Sequence, residues 1–103
     1  MKQTDRTSPF PAHPRNIRLD AGMRLRDVAE LTGWTTGMVS RIEHAERNPT
    51  CLTMAMFYTA CGRDDLAEPL LLVLNQDAQD KVAVVADRWY DRSARLARMA
   101  RNV

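Results

Sequence analysis

Metal-binding and disulfide chemistry have almost no material here: two cysteines, Cys51 and Cys61, and two histidines, His13 and His44. No CxxC and no paired-histidine spacing accompanies them, so no metal site is expected. On one helix the two cysteines are about 15 Å apart, beyond the ~4.4–6.8 Å Cα separation of a disulfide. Buried free thiols are the expectation. With only four glycines and no glycine-rich phosphate loop, no nucleophile pattern and no carboxylate pair, catalysis and a cofactor have no support. No apolar run reaches membrane length and no signal-peptide pattern appears, which points to a cytoplasmic chain with no membrane partner. Lysine is nearly absent, only Lys2 and Lys81, so arginine carries the positive charge. The net charge of +2 and a pI near 8.8 are mildly basic, less than a nucleic-acid binder ideally shows. The 103 residues suffice for one domain with one modest core.

What is present is concentrated between Met23 and Thr50. Leu25, Val28, Ala29 and Leu31 share one helical face, and Met38, Val39 and Ile42 share another. Gly33 stands between them, where a helix commonly ends with positive φ. Thr35 follows and can cap the next helix. The spacing predicts helices over about Leu25–Thr32 and Thr36–His44, with Trp34 packed between them. Helix, glycine turn, helix is the pattern that offers its second helix to a groove of DNA.

Around this unit the chain reads as further helices. Residues 1–13 are polar, with Pro9 and Pro11, and read as a flexible arm. Pro14 suits a first helical position, giving a helix through Ala21 that stops at Gly22. Arg18 on it and Glu43, far along the chain, both lie beside apolar neighbours. Spacing alone leaves open whether they pair or are separate solvent charges. Thr50 caps a helix of about Cys51–Cys61 ending at Gly62, with Cys51, Met54, Phe57, Tyr58 and Cys61 as a core stripe. Leu66 and Leu70 to Leu74 form a short, very apolar helix, beginning in earnest at Pro69, after Asp64 and Asp65 as helix-start residues. A last helix runs from about Asp77 to Arg101.

Residues 17–62 resemble the Cro/repressor-type helix-turn-helix domain, the xenobiotic-response-element family of phage and bacterial regulators. The resemblance rests on Arg18, Gly22, Val28-Ala29-Glu30, Gly33, Val39-Ser40-Arg41-Ile42-Glu43, Arg47-Asn48-Pro49-Thr50, Ala60 and Gly62. It implies an all-α, lambda-repressor-like domain of about five helices, which the helix pattern above places over residues 14–75; after Gly62 the resemblance fades, and the long C-terminal helix in 76–103 is read from the residues alone. The resemblance also implies a buried Arg18–Glu43 pair, and helix 36–44 in the major groove of double-stranded DNA. By residue, Thr36, Gly37, Ser40 and Arg41 fall on base-contacting positions. Arg41 leads them, because a guanidinium bridges O6 and N7 of guanine. Arg24, Arg26, Thr35, Arg47 and Asn48 fall where phosphates are held. The sequence departs from the family at Leu25, where a polar residue is usual, at Gly37 and Glu46, and at Ala45 in place of glycine.

The C-terminal helix has two readings. Val82, Val85, Trp89, Leu96 and Met99 follow a three-four repeat broken once at Arg92. The helix either packs on its own domain or forms a dimer contact. The dimer is favoured, because five helices already hold a core and Trp89 and Tyr90 need a cover. The arginines at 92, 95, 98 and 101 read as a solvated face or a backbone contact. The functional expectation is a dimeric, sequence-specific repressor. The alternative is an antitoxin-type protein that binds a toxin partner and autoregulates its operon.

Overall fold

The computed structural model describes residues 13–44 and 49–101. They fold into six helices: α1 (Pro14–Asp20), α2 (Leu25–Thr32), α3 (Thr36–Glu43), α4 (Cys51–Ala60), α5 (Asp64–Leu71) and α6 (Gln76–Arg101). No strand occurs among the described residues. The expected arm, residues 1–13, lies outside them apart from His13, whose ring accepts from the Arg15 amide and caps α1. Pro14 follows at the first helical position, where its missing N–H costs nothing.

α4 is the hub, packed against α1, α2, α5 and α6. The expected stripe of Met54, Phe57, Tyr58 and Cys61 is buried, and so are Ala55, Thr59 and Ala60. A helix apolar all round is one covered on all sides, and α5 and α6 cover the side that a two-sided pattern would leave wet. Ile17, Met23, Val28, Leu31 and Val39 complete the N-terminal part of this core. Cys61 is buried, Cys51 is half-buried, and both thiols are free. Burial pushes the Cys61 thiol up to about 12, so at neutral pH it is an apolar filler rather than a nucleophile.

Two expectations change in the C-terminal part. The apolar helix starts at Asp64, not Pro69, and ends at Leu71. Asp64 and Asp65 fill its first turn, where carboxylates meet the positive end of the helix dipole. Pro69 is interior. Leu72 and Val73 fall in the following turn and are 83% and 71% exposed. Second, Val82 and Val85 face inward, 4% and 1% exposed, and half-buried Trp89 packs on the same core. Their expected place in a dimer interface is therefore corrected. Five helices leave one side of α4 open, and the first half of α6 closes it. Only Leu96 and Met99 of that set remain exposed.

Close packing fixes this junction. Gly62 has φ +75°, and a Cβ placed there would lie 2.7 Å from Cζ2 of Trp89. The Trp89 ring is held edge-on by Tyr90, with centroids 5.1 Å apart. At the α5–α6 corner, Gln79 Nε2 donates to the carbonyls of Leu71 (3.0 Å) and Leu74 (2.9 Å). The Leu71 carbonyl also accepts from the Leu74 amide at 3.1 Å, so the corner is closed by backbone and side chain together.

Candidate nucleic-acid interface

The local sequence accounts for the α2–turn–α3 geometry. The Arg24 amide donates to Asp27 Oδ2 at 2.7 Å, so the third residue of α2 caps its own N-terminus. Gly33 ends α2 at φ +83°, a left-handed conformation that glycine adopts without a side-chain penalty. Its amide donates to the Ala29 carbonyl. The Thr32 hydroxyl donates to the Val28 carbonyl at 2.8 Å and accepts from the Trp34 amide, tightening the turn. The Thr35 hydroxyl accepts from the Met38 amide at 3.1 Å and caps α3.

One side of α3 is pinned. Val39 is fully buried and Ile42 is half-buried against the core. At the C-terminal end, Arg18 donates to both oxygens of Glu43: Nε to Oε2, and Nη2 to Oε1 at 3.0 Å. Its Nη1 donates to the Met23 carbonyl at 2.9 Å. Three donors of one guanidinium thus join α1, the α1–α2 turn and α3. The hydrogen bonds from Arg18 to Glu43 raise the Arg18 pKa further, against the opposing effect of burial.

The opposite side of α3 is open. Thr35, Thr36, Gly37 and Arg41 are exposed, and Met38 and Ser40 are half-exposed. Arg41 has no hydrogen-bond or ion-pair partner among the described residues. Ser40 is less free, since its hydroxyl lies 3.3 Å from His44 Nδ1 and that nitrogen lies 2.7 Å from the Ser40 carbonyl. Arg24 and Arg26 are exposed at the start of α2, on the same stretch of chain as the turn. Arg47 and Asn48 lie outside the described residues, as do Ala45 and Glu46.

A helix-turn-helix family model matches residues 15–54, which contain all of this geometry. Those residues are a Cro/repressor-type helix-turn-helix domain. The helix-turn-helix domain makes the chain a DNA-binding transcriptional regulator in general terms. No curated protein and no solved structure matches the chain. No helix among the described residues is long and apolar enough to cross a membrane.

Asp27 and Arg88 were not singled out from the sequence, and Arg92 was read there only as part of the arginine-rich tail. Asp27 is 6% exposed. Burial pushes its pKa up, but the Arg24 amide and guanidinium and then Arg92 outweigh that, and the carboxyl sits below its ordinary value. Its signal was available as a carboxylate three residues after a helix cap. The contacts of Arg88 and Arg92 come from α6, and neither pairing had a local signal. Arg88 Nη1 donates to the Leu31 carbonyl at 3.2 Å, and Arg92 Nη2 lies 3.8 Å from Asp27 Oδ2. The long helix is thereby tied to α2 at two levels.

Proposed function

We propose that this chain is a sequence-specific repressor that acts as a homodimer, each copy laying α3 in a major groove. The observation that carries this reading is the contrast between the two sides of α3. One side is held by Val39, Ile42 and the Glu43–Arg18 pair, while the polar edge led by Arg41, which has no partner among the described residues, is exposed. Thr36, Gly37, Ser40 and Arg41 contact bases. Arg24, Arg26 and Thr35, with Arg47 and Asn48, hold phosphates. The first helix of such a unit crosses the backbone while the second enters the groove. Leu96 and Met99, which continue the apolar side of α6 past its core contacts, form the dimer contact. Two-fold symmetry then calls for a near-palindromic site with half-sites about 34–36 Å apart.

The test is selection of a binding site from a random DNA pool, followed by Arg41→Ala on the selected site. A bidentate guanine contact is worth about 1–3 kcal/mol, so affinity falls about 5- to 150-fold, with the loss confined to one base position. Equal affinity of mutant and wild type on every duplex removes base reading by α3. The exposed pair Leu72 and Val73, outside the DNA-facing side, supports a second reading, in which a partner of the toxin kind docks on the α5–α6 corner. A stable complex with a protein encoded beside this chain, lost in Leu72→Ser, favours it.

A further inference from the structure

The largest charged feature that the α2–α3 interface leaves unused is the run of arginines along α6. Arg88, Arg92, Arg95 and Arg98 recur at four, three and three residues, so they form one stripe on the helix. No acidic residue follows Asp91 within α6. The stripe is anchored at its near end. Arg88 meets the Leu31 carbonyl, late in α2, and Arg92 meets Asp27, early in α2. Numbers rise along α6 as they fall along α2, so the two helices run antiparallel, and the stripe climbs toward the N-terminus of α2.

That end holds the phosphate position assigned above. Arg24 Nε lies 3.3 Å from Asp27 Oδ2, the same oxygen that Arg92 approaches at 3.8 Å. The guanidiniums of Arg24 and Arg92 therefore flank one carboxylate oxygen. From Arg92, Arg95 and Arg98 lie about 4.5 Å and 9 Å further along the axis. Arg95 draws roughly level with Arg24, and Arg98 passes beyond it. Both are exposed, and neither has an ion-pair partner among the described residues.

We infer that the last turns of α6 are a second backbone grip, with Arg95 and Arg98 holding DNA phosphates beside the strand segment that Arg24 holds. This rests on the proposed DNA reading and extends it. The grip is sequence-blind, because phosphates are the same at every base pair. It raises affinity on all duplexes alike and explains how a chain of net charge +2 concentrates its cations where they count.

The experiment measures binding of the full chain to a mixed-sequence 24-base-pair duplex between 50 and 200 mM salt. It compares wild type, the double variant Arg95→Gln/Arg98→Gln, and Lys81→Gln at the far end of α6. Each phosphate contact contributes about 0.9 to the slope of log K against log salt. The double variant loses about 1.8 from that slope, so across this range wild type loses about 12-fold more affinity than the variant. Lys81→Gln leaves the slope unchanged. An unchanged slope in the double variant overturns the grip while leaving the α3 reading intact. A lowered slope accompanied by a halved mass in sedimentation also overturns it, because lost dimerisation then explains the change. Absence of wild-type binding to any duplex at 50 mM salt overturns the grip and the DNA reading together.

Discussion

Replacing Gly62 by alanine isolates the packing of α6 on the helix-turn-helix domain. Two costs add at this position. At φ +75° any L side chain meets the left-handed penalty, about 1–2 kcal/mol. The new Cβ also meets three indole atoms of Trp89 at 2.7, 2.9 and 2.9 Å, against an optimal carbon separation of about 3.5–4.0 Å. Edge-on stacking with Tyr90 resists a swing of the ring, so the helix must shift, which costs about 1–3 kcal/mol. Gly22 supplies the internal control: its φ is +69°, and nothing lies within 4 Å of its Cβ position. Gly22→Ala should cost about 1–2 kcal/mol, and Gly62→Ala about 2–5 kcal/mol in all. Urea unfolding followed by helical circular dichroism reads both as midpoint shifts. In a Trp89→Leu background the excess at Gly62 should vanish, leaving a cost like that at Gly22. Equal costs at the two glycines in the wild-type background, or an excess that survives removal of the indole, would refute the reasoning.

Three further perturbations test other contacts. Glu43→Ala leaves the Arg18 guanidinium buried without its carboxylate and should destabilise by about 3–5 kcal/mol, whereas Arg18→Met/Glu43→Leu should cost clearly less in the same urea titration. Gly37 has no strained φ, and a Cβ there meets Arg41 Nη1 at 3.7 Å and Thr35 Oγ1 at 3.8 Å, ordinary contacts. Gly37→Ala should therefore raise stability by about 1 kcal/mol while weakening binding to the selected site, as measured by fluorescence anisotropy. Because the folded-state pKa of Asp27 is lowered, its contribution is present above the unfolded carboxyl value of about 3.9 and is lost as pH falls below it. Thermal unfolding between pH 7 and pH 3 should show Asp27→Asn less stable at neutral pH, with a shallower acid limb than wild type; parallel curves would remove Asp27 from the account.

The N-terminal half was legible because its signals are local. Gly33, Thr35 and Thr50 mark helix ends by backbone chemistry, and the expected bounds of α2 coincide with the observed ones. Arg18 and Glu43 show the limit of spacing, since only the family resemblance joined two charges 25 positions apart. The C-terminal half was harder for a physical reason. An apolar face on α6 looks the same whether it meets its own core or a second copy, and Val82, Val85 and Trp89 pack into their own core. Pro69 misled because proline favours a helix's first turn, yet α5 carries it inside, with Asp64 and Asp65 as the stronger start signal. Arg88 and Arg92 depend on the angle at which α6 crosses α2, which no short-range pattern encodes.

The continuity of α6 has a mechanical outcome. From Gln76 to Arg101 it is one rod, fastened at its base by Gln79 and along its middle by Arg88 and Arg92. Its tip therefore has no hinge and moves with the helix-turn-helix. In the proposed dimer, two copies joined tip to tip would behave as a caliper with a locked jaw. Inserting a single base pair between half-sites turns one of them by about a tenth of a revolution, and a locked caliper loses its second hold instead of adjusting.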